Sequence, residues 1–333
     1  MATFLCTCGV TIGNFRTNQV HRVEVDKSFF ELADKAEIVI PSVKNTADVA
    51  RKIKIGDPVS INLGYIGLHK IYNFNEFNGF VKRIKPNVPL EIECEDAVWL
   101  LRQVNLKVEL KNTNLKEILN YIVDTTNKQY AGKYKIDLYK TIPDIKFTKY
   151  RISNVNAASC LQEIKEKYGL VSFFRGFTLH MELPYFEYAG TSEGEVFYSL
   201  AWNMKKIPEL EYKSGESLNI RLKAIAIKKD NSRMVEEVGD PNGELRTKIY
   251  YNIDDRDTLT KVAQNDLGSF KVDTYKGDLN TFLIPYCAPG YAATIEDPEF
   301  NQTAGKYAVE KTKMIFDVDS GMTRKVTLGR RLV

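Results

Sequence analysis

The sequence predicts a mainly β chain with an α+β middle: two small antiparallel β units, each a barrel or a sandwich, joined by an α+β connector. Three observations carry that prediction. Apolar residues alternate with polar ones through most of the first hundred positions, two amphipathic helical stretches follow, and alternation returns from Leu218 onward.

The chain's 333 residues exceed the usual size of one domain, so two or three are expected. The divisions fall at 1–104 for the first β unit, 105–200 for the connector and 201–333 for the second β unit. That last unit carries an inserted hairpin and helix at about 228–285. Hydrophobic residues make up 44% and charged residues 27%, an ordinary balance for a folded globular chain.

The elements follow in order. Cys6-x-Cys8 alternates as a strand does. Val23 and Val25, then Ala36, Ile38 and Ile40, read as two strands joined by a polar loop or short helical turn, and Pro41 ends the second. "VKNTADVARKI" is a polar connection. In "KIGDPVSINLGY", Gly56-Asp57-Pro58 turns the chain: Gly supplies an unusual backbone angle, Pro fixes φ at a strand's first position, and Asp is placed to cap the bend. Val59, Ile61, Leu63 and Tyr65 make the strand after it. Phe80 and Ile84, then Leu90, Ile92 and Cys94, mark two more strands, and Trp99 to Leu101 a helical close.

In the connector, Leu115, Ile118, Leu119 and Ile122 fall at helical spacing behind a Thr113 or Asn114 cap. Ala158, Leu161, Ile164 and Tyr168 repeat that design, with Gly169 closing the helix. A tight hairpin turns at Arg175-Gly176. Beyond it, Leu218, Ile220, Leu222, Ala224 and either Ile225 or Ile227 open the second β unit, "DNSRMVEEVGDPNGELRTKIYY" reads as a hairpin with an Asp-Pro-Asn-Gly tip, and a helix is capped near Asp255 or Asp257. Two long alternating strands then bend at Ser320-Gly321.

Charge and chemistry exclude several classes. Lys plus Arg number 47 against 43 Asp plus Glu, spread without a basic run, so charge gives no support for nucleic-acid binding. No stretch has the roughly 18 apolar residues of a membrane helix, and "MATFLCTCGVTIGNF" lacks the parts of a signal peptide, which points to cytoplasmic folding without a membrane. Five cysteines, Cys6, Cys8, Cys94, Cys160 and Cys287, form an odd set without a CxxC pair, so buried thiols are expected rather than disulfides. Cys6 and Cys8 share a strand face that suits a soft metal, but no second pair completes a four-ligand set.

The turn at Gly56 has one glycine and enters a strand, unlike a phosphate loop. His21, His69 and His180 are scattered, with no metalloprotease or hydrolase signature. Glu91, Glu93 and Glu95 share one strand face and read as the wet side of a half-buried strand. "DVDSG" at Asp317–Gly321 begins like a Ca²⁺ loop but leads into a strand, so it reads as a hairpin turn. Tyr72, Phe74 and Phe80 are placed either to stack on bases or to fill a barrel end or a subunit interface. No catalytic, cofactor-binding or metal-binding residue is expected, and the chain is read as a non-enzyme.

"VEVDKSFFELADKAEIVIP", "KIKIGDPVSINLGY" and "FNGFVKRIKP…PLEIECEDAVWLLRQ", taken in order, resemble the first barrel of the baseplate hub proteins of contractile phage tails. That family includes the late-control D proteins and the amino-terminal part of the type VI secretion spike. "LTKVAQNDLGSFK", "LIPYCAPGYAATIEDP" and "GKYAVEKTKMIFDVDSGMTRKVTLG" resemble its second barrel, and "NVNAASCLQEIKEKYGLVSFFRGFTLHM" its connector. The resemblance implies two small antiparallel β-barrels in a homotrimeric ring, adapting a threefold spike to a sixfold tail tube. The implied partners are further copies of the chain, the central spike and the tube, with tape-measure and baseplate wedge proteins as additional candidates. The implied place is the virion tail baseplate, assembled in the host cytoplasm. Working surfaces would be barrel edges and loops, including the strand after Gly56 and the hairpin at Gly321. No spike β-helix or peptidoglycan-cleaving domain follows in the sequence, so both are expected on separate chains. The alternatives are a barrel module binding single-stranded nucleic acid or glycan, and a hydrolase whose site assembles across the fold.

Overall fold

The computed structural model describes residues 5–41, 51–67, 70–182, 194–199, 203–205, 210–214, 219–228, 230–251, 253–267, 270, 274–296 and 304–332. His69, Leu218 and most of the 43–53 connection lie outside them. The first third holds β1 (Leu5–Ile12), β2 (Phe15–Thr17), β3 (Arg22–Ser28), β4 (Lys35–Ile40), β5 (Pro58–Ile66), β6 (Ile71–Lys85), β7 (Leu90–Glu95) and a short helix α1 (Val98–Arg102). The middle holds β8 (Asn105–Asn114), α2 (Leu115–Gln129), β9 (Asp137–Leu138), β10 (Lys146–Asn156), α3 (Ala157–Tyr168), β11 (Val171–Arg175) and β12 (Thr178–Glu182). The last third holds β13 (Glu195–Ser199), β14 (Glu211–Lys213), β15 (Ile220–Ile227), β16 (Arg233–Gly239), β17 (Glu244–Tyr251), α4 (Arg256–Leu267), β18 (Thr274–Lys276), β19 (Asp278–Thr281), β20 (Ala292–Glu296), β21 (Gly305–Asp317) and β22 (Gly321–Leu332).

The chain is mainly β, as the alternation predicts, but the described pairings form one open path rather than two closed rings. It runs β14-β18-β22-β21-β3-β4-β7-β6-β5-β1-β2. The reason is the last hairpin. β21 pairs with β22 on one side and, from Lys311 to Asp317, with β3 on the other, so strands from the two ends of the chain share one sheet. Packing follows the pairing. Met314 and Met322, near the hairpin tip, are buried among Val10, Ile38, Ile61 and Ile92 of the first third, whereas Tyr307, Val309, Val326 and Leu328, near its base, are buried with Tyr198 and Ile295. Each such fully buried aliphatic side chain stabilises the fold by about 1.5–3 kcal/mol.

The connector helices form where their apolar spacing places them. Asn114 caps α2 by accepting the Glu117 N–H at 2.9 Å, deciding between the two predicted caps. Asn156 caps α3, and Gly169 ends it in the left-handed conformation at φ 62°. Antiparallel strands β8 and β10 flank these helices; β8 alternates Leu106, Val108 and Leu110 and had gone unassigned.

Two expectations are corrected. β16 and β17 do not pair as a hairpin: β15 lies between them, antiparallel to β16 and parallel to β17. β15 therefore belongs to a separate three-stranded sheet instead of opening the second β unit. Its Leu222, Ala224 and Ala226 pack on Leu259 and Ala263 of α4, while Ile227 joins the connector core. The β3–β4 connection is also not simply polar. Leu32 and Ala33 are buried in the connector core, because the loop dips into it.

Candidate functional site

A charged surface covers the outer face of the strands β21, β3, β4, β7 and β6. Alternation buries Val23, Val25, Ile38 and Ile92 and turns charged residues to the other side. The result is banded. Glu24 lies directly opposite Glu37, and Glu37 opposite Glu93, an acidic row across three strands. Cations flank it: Lys313 reaches Glu24 at 2.7 Å and Lys311 reaches Asp26 at 3.1 Å, while at the other side Lys85 holds Glu93 at 2.8 Å and Glu91 at 3.1 Å. The hydrogen bond from Lys85 keeps the Glu93 carboxyl below its usual range.

Two β-bulges in β6 displace charged residues from the ladder: one turns Glu76 into the interior, while the other leaves Lys82 exposed at the rim. Opposite Ile61 and Asn62 the register skips Glu76, and opposite Cys94 and Glu93 it skips Lys82. Glu76 Oε1 meets Arg324 Nη2 at 2.7 Å, both side chains being 1% exposed. Arg324 also donates to the Cys287 carbonyl at 2.6 Å and faces the Tyr286 ring at 5.0 Å. Burial opposes the Arg324 charge, but Glu76 outweighs it and holds the guanidinium above its ordinary pKa. Lys82 reaches Glu95 at 3.1 Å, and Arg102 grips the same carboxylate through two nitrogens at 2.6 and 2.9 Å. Glu95 is thus buried, which corrects its assignment to the wet face; Glu91 and Glu93 keep theirs. Burial raises the Glu95 pKa, and Arg102 and Lys82 bring it below the usual value. No sequence pattern marks Glu76 or Lys82, since a bulge leaves the alternation looking merely imperfect, whereas Arg324 is in phase with Met322, Val326 and Leu328, an alternation that places it on the buried face.

The residues singled out from sequence do not converge. Cys6 and Cys8 share the inner face of β1 as free thiols, and all five cysteines are free. Burial pushes the Cys8 and Cys160 thiols up to about 12 and Cys287 to about 11, and raises Cys94 as well, which makes each a poor nucleophile or ligand. His180 is buried on β12, its Nδ1 2.8 Å from Glu182 Oε1, between the rings of Tyr139 and Phe173. Such packing leaves no room for a substrate. Among the described residues, no three His, Cys, Asp or Glu side chains are arranged to hold a metal ion.

Gly56 has φ +86°, and a β-carbon there would come within 2.7 Å of the Trp99 ring; Asp57 accepts the Lys54 N–H at 2.8 Å. The bend is a corner that the indole closes. At the other tip, Asp317 Oδ1 accepts the N–H groups of Asp319 and Ser320 at 2.9 and 3.1 Å, and Gly321 turns the chain at φ +74°. Two of the aromatics singled out from sequence are engaged internally. Phe80 is fully buried against Trp99 and Tyr134, and Phe74 stacks on Tyr286 at 5.2 Å, so neither is a free platform for bases.

A tail protein from Neisseria meningitidis MC58 has a similar structure, with TM-score 0.63 and 15% identity over 97% of this chain and 96% of that one. The tail protein of prophage MuSo2 from Shewanella oneidensis matches with TM-score 0.63 and 13% identity over 97% and 98%. An Escherichia coli type VI secretion component, described as structurally similar to bacteriophage T4 tail proteins, matches with TM-score 0.54 and 8% identity over 96% and 76%. No family model matches the sequence, and no curated protein matches it either. At these identities the likeness is one of fold, and it spans the chain from end to end.

Proposed function

We propose that this chain, which has the fold of phage and type VI secretion tail proteins, is a structural, non-enzymatic baseplate hub of a contractile tail or related injection machine. The observation that carries the reading is the end-to-end likeness to the Neisseria tail protein, since it covers both β regions and the connector together. In this reading 1–104 and 201–333 are two barrel-like modules and 105–200 joins them; the insertion in the second is the sheet of β15, β16 and β17 with α4, since β18 and β19 pair with β22 in the main sheet. Three copies form a ring of six similar modules, which adapts a threefold spike to a sixfold tube. The shared sheet supports this, because β21 against β3 sets the two modules edge to edge inside one chain. Tube and spike are the partners, with tape-measure and wedge proteins beyond them, and the virion tail baseplate is the location. A module binding nucleic acid or glycan is the weaker reading, because Phe74 and Phe80 are engaged internally.

The test is solution mass by light scattering, with negative-stain images of the same peak. A ring of three times 38.0 kDa is expected. A species that stays at 38.0 kDa when mixed with spike and tube proteins overturns the reading.

A further inference from the structure

The loop between β3 and β4 is a plug that joins the first third to the connector. Phe29 packs on Phe173 with ring centroids 4.9 Å apart, Leu32 and Ala33 are buried in the connector core, and the Phe30 carbonyl accepts from Lys165 of α3. Beside it, a groove of about 620 Å³ runs between the plug and α3, with Leu32, Arg102, Ser159 and Glu163 in its walls. The base of the plug is fastened by two carboxyl groups. Asp34 Oδ1 accepts the Ser28 N–H at 3.2 Å, and Asp96 Oδ2 accepts the Asp34 N–H at 3.1 Å. Asp96 also donates its own N–H to the Asp34 carbonyl at 3.1 Å, and its Oδ1 accepts the Val98 N–H at 3.0 Å.

We infer that proton uptake by the Asp34 and Asp96 carboxyl pair tightens the plug against the connector, so that this joint responds to pH. Two acidic groups at one fastening cannot both carry charge cheaply, and neutralising either removes that cost, which outweighs the preference of the Ser28, Asp34 and Val98 N–H groups for the charged carboxylates.

The charged surroundings favour this. Burial raises Asp34 to about 6, against the pull of Lys27, Arg175 and the Ser28 N–H and with a push from Asp26. Burial and then Asp34 itself raise Asp96, with a smaller push from Glu95. The remaining neighbours are engaged elsewhere: Glu95 by Arg102 and Lys82, Glu31 by Lys35 at 3.3 Å, and Glu76 by Arg324. Lys165 is held by the Phe30 carbonyl. The sign follows. The docked state holds protons that the undocked state, with ordinary carboxyls, releases, so the Asp34 contribution to docking is full below the ordinary value of 3.8, falls as pH rises from there, and is lost as pH passes about 6.

The test is hydrogen exchange of the full chain, read on peptides spanning 28–34 and corrected for intrinsic rates, at about pH 5 and about pH 7.5. Protection of that segment is expected to be about tenfold greater at the lower pH, and peptides of β21 serve as reference. In Asp34→Asn and Asp96→Asn, each measured separately, the difference is expected to collapse. Equal or weaker protection of the wild-type segment at pH 5, or an unchanged pH difference in a folded variant, overturns the inference. The wild-type result decides the sign even where one variant does not fold.

Discussion

Glu76 and Arg324, 248 positions apart in sequence, form an ion pair that is 1% exposed on each side and closes at 2.7 Å. The pair ties the bulge of β6 to the middle of β22, beneath the charged sheet face. Its two charges compensate one another in a place where either alone would be costly.

Removing one partner should therefore be expensive. Glu76→Gln or Arg324→Met is expected to lower unfolding free energy by about 3–5 kcal/mol, read from urea denaturation. The double variant should recover much of that loss. Additive losses in the double variant would show that the two side chains act independently.

Gly56→Ala should destabilise by about 1–3 kcal/mol, because the left-handed φ and the Trp99 ring both oppose a β-carbon there. A urea midpoint equal to that of the wild type would contradict this.

Glu37→Lys should stabilise. The substitution places a cation directly between Glu24 and Glu93, replacing two like-charge pairs with two attractive ones, for a gain of about 0.5–1 kcal/mol at low salt. The gain should shrink as salt is added, which thermal melts at two ionic strengths would reveal.

Thiol labelling with an aromatic disulfide reagent at about pH 8 should modify at most one cysteine of the native chain, the partly exposed Cys6. The other four should react only on denaturation. Rapid native labelling of two or more would contradict the packing of Cys8, Cys94, Cys160 and Cys287.

Much of the fold is legible in sequence where one face of a strand is buried and the other wet. Val23 and Val25, Ile38 and Ile40, Val59 to Tyr65, and the two strands about Gly321 all read correctly for that reason. The helices read from Leu115 and Ala158 as well, with the cap at Asn114 and the close at Gly169, though the Asn156 cap did not. What was illegible depends on partners far along the chain. β15 alternates like any strand, and nothing in Ile220–Ile227 tells that it will separate β16 from β17. The loop carrying Leu32 and Ala33 is rich in apolar residues, Phe29 and Phe30 among them, which signals burial, but nothing local tells that the connector is what buries them. Glu95 looked wet because it is in phase with Glu91 and Glu93, yet Arg102 from the following helix covers it. Glu76 is the hardest, since its inward aim comes from a bulge whose purpose is 248 residues away.

The hairpin of β21 and β22 also sets an order of events during synthesis. Residues 22–95 leave the ribosome long before residues 305–332 exist, so β3 waits with an unpaired edge, Glu76 waits without its cation, and the first hydrophobic core lacks Met314 and Met322. The native state is thus closed by its last segment, through contacts of very long sequence separation, which makes for slow and late completion. A nascent chain stalled before residue 305 would carry two unfinished cores rather than one finished module.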